Sequence, residues 1–263
     1  MNARDSISAA IRAAAAQGQP ALVGFLTAGY PSRERFREDL RAIAAGADVV
    51  EIGVPFTDPM ADGVTVQRSS QGALAQGVSL RWILSELEAM PRVSTPLLLM
   101  SYLNPLLAFG IDRLAEVAAR AGVAGFIVPD LPFDESGDLR AALDKQGVAL
   151  VQMVTPVTKP ERMKQLCAGS QGFLYAVTMT GTTGKNVSVP TEVIDYLDQV
   201  RRIASVPVCA GFGIRSREQV ELLAGHVDGV VIGSALVEVL ERGENPTEWL
   251  RGLRAARPKP RDD

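Results

Sequence analysis

Apolar and polar positions along this chain follow two alternating periods. Short runs rich in Val, Ile, Leu and Phe, closed by Gly, Pro or polar clusters, recur at 21–27, 49–53, 96–101, 125–128, 149–154, 172–177, 207–210 and 229–232. Such runs read as strands. Between them, apolar residues recur every three or four positions, as on one face of a helix. These stretches are 33–45, 66–76 with 80–90, 111–121, 135–146, 159–168, 192–203 and 217–224, and 235–242 and 246–254 follow the last run. Regular alternation of strand and helix predicts a parallel sheet covered by helices. Eight such units in one chain predict an α/β fold of the (β/α)8 TIM-barrel type. The alternative is a doubly wound sheet, which would carry a Gly-rich phosphate turn after its first strand. Here that strand runs into Thr27-Ala28-Gly29-Tyr30-Pro31, without GxGxxG. The Ala-rich stretch 1–20, marked by Asp5, Arg12 and Gln17, predicts an extra amphipathic N-terminal helix and not a signal peptide. No linker divides the sequence, so 1–263 is expected to form one barrel domain.

Polar side chains collect at or just beyond the predicted strand ends: Thr27, Glu51, Tyr102 with Asn104, Asp130, Thr155, Tyr175 and Ser234. In a barrel these all lie toward the face where active sites form. The run Asp48-Val49-Val50-Glu51-Ile52-Gly53 is the most informative. Side chains alternate faces along a strand, so Val50 and Ile52 share one face and Val49, Glu51 and Gly53 the other. If the first face packs on helices, Glu51 points into the interior. A carboxylate there is either hydrogen-bonded for structure or used in chemistry. Two further acids, Asp58 and Asp62, follow on a loop broken by Pro55 and Pro59.

Glycine clusters mark the other side of the mouth. Ala210-Gly211-Phe212-Gly213-Ile214 follows the seventh strand, and Ile232-Gly233-Ser234-Ala235 follows the eighth and opens a helix. Glycine lets backbone N–H groups approach an anion, and a helix N-terminus adds favourable partial charge. The loops after strands seven and eight are the common phosphate site of such barrels. A third loop, Thr178-Met179-Thr180-Gly181-Thr182-Thr183-Gly184-Lys185-Asn186, is long, small and polar, which suits a lid.

Composition narrows the partners. With 263 residues, 22% charged and a net charge of −3 with mixed signs, nothing favours nucleic acid or a membrane surface. Cys167 and Cys209 lack metal or disulfide spacing, which accords with a reducing compartment. His226 is the only histidine and falls in a short loop, where surface placement is expected. A histidine-based metal site and a Ser-His-Asp triad are therefore disfavoured. None of Lys145, Lys159, Lys164, Lys185 and Lys259 lies on a predicted strand, which disfavours a Schiff-base aldolase.

With these residues in place, the chain resembles the tryptophan synthase alpha subunit family over nearly its whole length. The matching segments are Glu51 to Gly63, Asn104-Pro105, Val128-Pro129-Asp130-Leu131-Pro132, Thr182-Thr183-Gly184, Gly211-Phe212-Gly213-Ile214 and Gly233-Ser234-Ala235. The first is long and specific, whereas the glycine segments are shared with other phosphate-binding barrels. The resemblance implies cleavage of indole-3-glycerol phosphate to indole and glyceraldehyde 3-phosphate. It assigns acid–base catalysis to Glu51 and Asp62 and places phosphate near Gly184, Gly213, Gly233 and Ser234. It puts Phe212 beside the indole and Tyr175 near the catalytic carboxylate. It further implies no cofactor or metal in this chain and a cytoplasmic location. The partner it implies is a beta subunit carrying pyridoxal phosphate, in an alpha2-beta2 heterotetramer. Val64 departs from the family, which usually has proline after Asp-Gly.

The reaction makes three demands: a proton for indole C3, removal of the hydroxyl proton from the adjacent side-chain carbon, and stabilisation of the cation developing at the ring nitrogen. One carboxyl that gives and then takes a proton, with a second that stays ionised, meets all three. Glu51 is the candidate for the first role and Asp62 for the second. Asp58, in Thr57-Asp58-Pro59, is the rival to Asp62 and is expected to stabilise a turn or meet a partner.

Overall fold

A computed structural model of the chain describes residues 2–178, 189–211 and 213–254. Its strands are β1 (Ala21–Thr27), β2 (Val49–Gly53), β3 (Leu97–Met100), β4 (Val123–Ile127), β5 (Ala149–Val154), β6 (Leu174–Val177), β7 (Val208–Gly211) and β8 (Gly229–Ile232). They pair in sequence order, all parallel, and β8 returns to β1 to close the barrel.

The helices are α1 (Ala3–Ala15), α2 (Phe36–Ala44), α3 (Val64–Ala75), α4 (Leu80–Ala89), α5 (Leu103–Phe109), α6 (Ile111–Ala121), α7 (Gly137–Lys145), α8 (Pro160–Gly169), α9 (Thr191–Ile203), α10 (Arg217–Leu223), α11 (Ser234–Glu241) and α12 (Pro246–Leu253). A 3-10 turn, Phe133–Glu135, precedes α7.

The two faces of each strand feed two cores. Val50, Ile52, Leu97, Leu99, Phe126 and Leu150 pack outward against the helices. Ala21, Val23, Val49, Leu98, Ala149, Phe173 and Cys209 fill the barrel interior, together with Ile7, Ile11 and Ala14 of α1. The N-terminal helix is therefore the plug of the barrel bottom. Full burial of Ile7 and Ile11 contributes about 1.5–3 kcal/mol each. With the bottom filled by aliphatic side chains, the interior is left open for chemistry only at its C-terminal end.

Most boundaries differ from the sequence reading by one to three residues. β4 begins at Val123, two residues earlier than its Gly125 suggested, because the turn is made by Gly122, at φ +81° after α6. Gly125 is instead an interior close-packing position: a Cβ there would lie 2.6 Å from Leu98 and 3.1 Å from Ile7. α2 begins at Phe36 and not at 33, and the hydroxyl of Ser32 donates to Glu34 in the preceding turn. Helix α5 is absent from the sequence reading. Its Pro105 occupies the first helical turn, where the missing N–H would have no intrahelical partner.

Ion pairs fix the elements that carry the mouth loops. Arg68 of α3 holds Glu241 of α11 through both carboxylate oxygens, at 2.8 and 2.9 Å. Arg215, just before α10, holds Glu238 of α11 at 2.6 and 2.9 Å. The helix that starts after Asp62 and the helix that starts after Gly233 are thereby tied together.

Candidate active site

A cavity of about 520 Å³ opens at the C-terminal end of the barrel. Its walls differ in chemistry. Phe25, Met100, Ile127, Met153 and Val231 give an apolar wall, while Gly211, Gly213, Gly233 and Ser234 give a wall of backbone and one hydroxyl. Glu51, Asp62 and Tyr175 also line it. The lining thus combines apolar side chains with exposed backbone and carboxyl groups.

Glu51 reaches the interior as strand alternation predicts. It stands in register with Phe25 on β1 and Leu98 on β3. The residue is 4% exposed, and its Oε2 atom has no hydrogen-bond partner among the described residues. Asp39 Oδ2 is likewise unpartnered, but Arg35 holds the other oxygen of that acid at 2.9 Å, whereas Glu51 opens onto the cavity. Burial, with a smaller contribution from the charge of Asp62, raises its pKa from 4.5 to about 8. Glu51 is therefore a protonated acid at neutral pH.

Asp62 lies on the loop between β2 and α3, two residues before the helix begins. Burial raises its pKa from 3.8 to about 6, opposed by a hydrogen bond from Tyr102. The Tyr102 hydroxyl donates to Asp62 Oδ2 at 3.1 Å and accepts from the backbone N–H of Ala61 at 2.9 Å. The two carboxyls of one cavity thus differ in ionisation at neutral pH, the arrangement that separates an acid from an anion. Asp58, by contrast, is exposed and takes a hydrogen bond from the Thr57 hydroxyl next to it. It does not line the cavity.

Tyr175 stands inside the barrel on β6, between Met153 and Cys209 in register. Burial first, then repulsion from Glu51 once that acid is ionised, pushes its phenol well above the usual range, so it stays neutral. Gly211 is required there, because a Cβ would lie 2.2 Å from the Tyr175 hydroxyl. Gly53 serves Phe25 in the same way, at 2.6 Å. At Gly213 and Gly233, an added Cβ would meet nothing within 4 Å among the described residues. Those two glycines border open space. Ser234 begins α11, whose N-terminus has no side-chain cap and no acidic residue in its first turn.

Three other polar residues at strand ends make structural bonds. Thr27 pairs with Ser69 at 2.6 Å, Asp130 accepts the N–H of Leu103 at 2.9 Å, and Thr155 bonds Thr158. His226 meets Asp198 at 2.8 Å, half-buried and outside the cavity. Cys167 and Cys209 are free and buried. No lysine lines the cavity among the described residues, and those residues contain no cluster of three or more metal-ligating side chains. Gly184 and Phe212, expected at the phosphate and the indole, lie outside the described residues, as does the lid segment after Thr178. Val64 is the first residue of α3, a position that favours proline without needing it, and its side chain is 78% exposed.

The apolar wall was not picked out from the sequence. Met100, Ile127 and Met153 read there simply as strand residues, and only closure of the barrel brings them to the same cavity as Glu51.

Comparison with known proteins agrees with this geometry. Residues 11–257 match the family model described as tryptophan synthase alpha chain. The tryptophan synthase alpha chain of Nitratidesulfovibrio vulgaris (strain DP4) is 47% identical over 243 residues, covering 92% of this chain and 95% of that protein. The one from Xanthomonas axonopodis pv. citri (strain 306) is 45% identical over 240 residues, covering 90% and 88%. Among solved structures, Mycobacterium tuberculosis tryptophan synthase in space group F222 superposes with a TM-score of 0.86 at 33% identity, covering 95% of this chain and 98% of that chain.

Proposed function

The chain belongs to the tryptophan synthase alpha chain family, and from that premise we propose which of its residues perform the reaction. The activity is that of a carbon–carbon lyase: it cleaves indole-3-glycerol phosphate to indole and glyceraldehyde 3-phosphate in tryptophan biosynthesis.

In our reading the protonated Glu51 donates its proton to indole C3. The ring nitrogen then carries a developing cation, which the ionised Asp62 stabilises through the ring N–H. The carboxylate left on Glu51 takes the proton of the side-chain hydroxyl. The carbon–carbon bond breaks, its electron pair returns to the ring, and the former alcohol carbon becomes the aldehyde. Glu51 ends as it began. The observation that carries this reading is one buried acid with an unpartnered oxygen, sharing a cavity with a second acid of different ionisation. Tyr175, neutral and beside Glu51, shapes the site without adding charge.

The test is incubation with indole-3-glycerol phosphate and detection of indole. The rate should require Asp62 ionised and Glu51 protonated, so kcat/KM should be bell-shaped between limbs near 6 and 8. The substrate phosphate also titrates near the acid limb, so the basic limb is the diagnostic one. No indole, or a rate still rising above pH 9, would overturn the assignment.

We place the substrate phosphate against Gly213, Gly233 and Ser234, with Gly184 and Phe212 completing the site as the resemblance implies. The open space beside both glycines and the uncapped start of α11 support this. Gly233→Asp should then raise KM about tenfold or more, since it adds bulk and like charge where the anion sits. An unchanged KM would put the phosphate elsewhere.

The partner is the tryptophan synthase beta subunit, in an alpha2-beta2 heterotetramer. Met60, Leu107 and Val157 are large exposed apolar side chains, and all three follow strand C-termini at the mouth side. That placement supports docking over the mouth, toward which indole would leave. We further infer that 1–263 is one barrel domain, that it binds no cofactor, and that pyridoxal phosphate resides in the beta subunit. No helix among the described residues is long and apolar enough to cross a membrane, and we infer a cytoplasmic location from the biosynthetic role.

A further inference from the structure

We propose that Tyr102 is a positioning residue for Asp62: its hydroxyl clamps the catalytic loop and leaves Asp62 Oδ1 aimed at the substrate ring nitrogen. This rests on the assignment of Asp62 above and goes one step beyond it.

Three contacts converge on one side chain. The Tyr102 hydroxyl donates to Asp62 Oδ2 at 3.1 Å. The same oxygen accepts the backbone N–H of Ala61 at 2.9 Å. The Tyr102 ring stacks on Phe56, at 5.1 Å between centroids and 25° between planes. Phe56 and Ala61 lie toward opposite ends of the loop that carries Asp62, so one tyrosine holds both ends. The other bonds to Asp62 act on its backbone: Gln67 Nε2 donates to the carbonyl of Asp62 at 2.8 Å, and the Asp62 N–H reaches Pro59 at 3.3 Å. Among the described residues, Tyr102 is the group that touches the carboxylate itself.

Tyr102 is well placed to be rigid. It is 1% exposed, and it directly precedes α5. The N–H of the next residue, Leu103, is held by Asp130 at 2.9 Å. This explains the position of Asp130 at a strand end away from the cavity: it fixes the start of α5 and, through it, Tyr102.

The chemistry gives the hydroxyl a second effect. Occupying Oδ2 with a proton donor leaves Oδ1 as the acceptor for a ring N–H. A donated hydrogen bond favours the ionised carboxylate, which is the form the reaction needs. The other titratable groups facing this pair are Glu51 from β2, Tyr175 from β6 and Asp130 after β4. None of these is a cation, so no positive charge among them would hold Asp62 ionised if the hydroxyl were removed.

The test is Tyr102→Phe, which deletes one oxygen and keeps the ring. We expect kcat at pH 7 to fall about tenfold and the acid limb of the pH–rate profile to move up by about one pH unit, with KM changed about twofold or less. Titration alone would account for about twofold of that loss, and the remainder reports misplacement of Asp62. The substrate phosphate titrates alike in both proteins, so the shift belongs to the enzyme. Phe56→Leu, which loosens the stack and keeps the hydroxyl, should lower Tm without moving the acid limb. A wild-type chain that releases no indole would refute the parent reading. An active wild type, with an unmoved acid limb in Tyr102→Phe or an equal shift in Phe56→Leu, would overturn the role of the Tyr102 hydroxyl.

Discussion

Glu51→Gln is expected to abolish indole release and, at the same time, to make the protein more stable above pH 6. The amide keeps the shape of the side chain and transfers no proton, so turnover should fall about 10³-fold or more. The stability effect follows from linkage. The folded pKa of Glu51 is near 8, against an ordinary value of 4.5. A carboxyl whose pKa is raised by folding is fully tolerated below the unfolded value. It then costs stability as pH rises from 4.5 to 8, where the cost levels off. At pH 7 that cost is on the order of 3 kcal/mol, at about 1.4 kcal/mol per pH unit. Replacing the acid by a neutral amide removes it, less whatever the unpartnered amide group itself costs. Thermal unfolding of both proteins from pH 5 to pH 9 checks this. The Tm difference should grow in favour of the variant up to pH 8 and then stay level. Near-normal turnover would remove Glu51 from the mechanism, and a pH-independent Tm difference would show that Glu51 is ionised in the folded site.

That trade explains why Glu51 was legible from sequence. A lone acid in a β-branched run breaks the local rule that buried strand faces are apolar, and such breaks accumulate at functional sites. The same reasoning carries the fold. The bounds of β1, β2, β5 and β8 can be read directly, because both the apolar run and the punctuation around it are unambiguous. Asp62 and the glycines after β7 and β8 were legible through position: barrel topology puts every strand end on one face.

What was not legible was everything that depends on which side chains meet across the barrel. Tyr102 could be noted as a polar residue at a strand end, but no spacing rule connects it to a loop forty residues earlier. Met100, Ile127 and Met153 carry no local signature that separates a cavity wall from ordinary core. Thr27, Asp130 and Thr155 show the reverse case, in which strand-end polarity satisfies nearby hydroxyl or backbone groups and does no chemistry. Helix α5, seven residues long, is too short to show a helical period in the sequence.

The second large effect concerns the two acids of the same loop. Asp62→Asn should reduce kcat about 10²-fold, while Asp58→Asn should change it by no more than about threefold. Asp62 faces the cavity and takes the Tyr102 proton on one oxygen, so its other oxygen is available to a ring N–H. Asparagine cannot reproduce this. If its carbonyl oxygen accepts from Tyr102, its NH₂ group faces the ring nitrogen and opposes one donor to another. If it flips, the Tyr102 hydroxyl loses its acceptor. In both orientations the negative charge that stabilises the ring cation is gone. Removing that charge also reaches Glu51, whose raised pKa owes part of its shift to Asp62. The basic limb of the residual activity should therefore move below 8 in Asp62→Asn and stay in place in Asp58→Asn, since Asp58 is exposed and bonded to Thr57. Steady-state rates of both variants across pH 5 to 10 make the comparison. A larger loss at Asp58 would mean that the two acids have exchanged roles, and an unmoved basic limb in Asp62→Asn would mean that the two cavity carboxyls titrate independently.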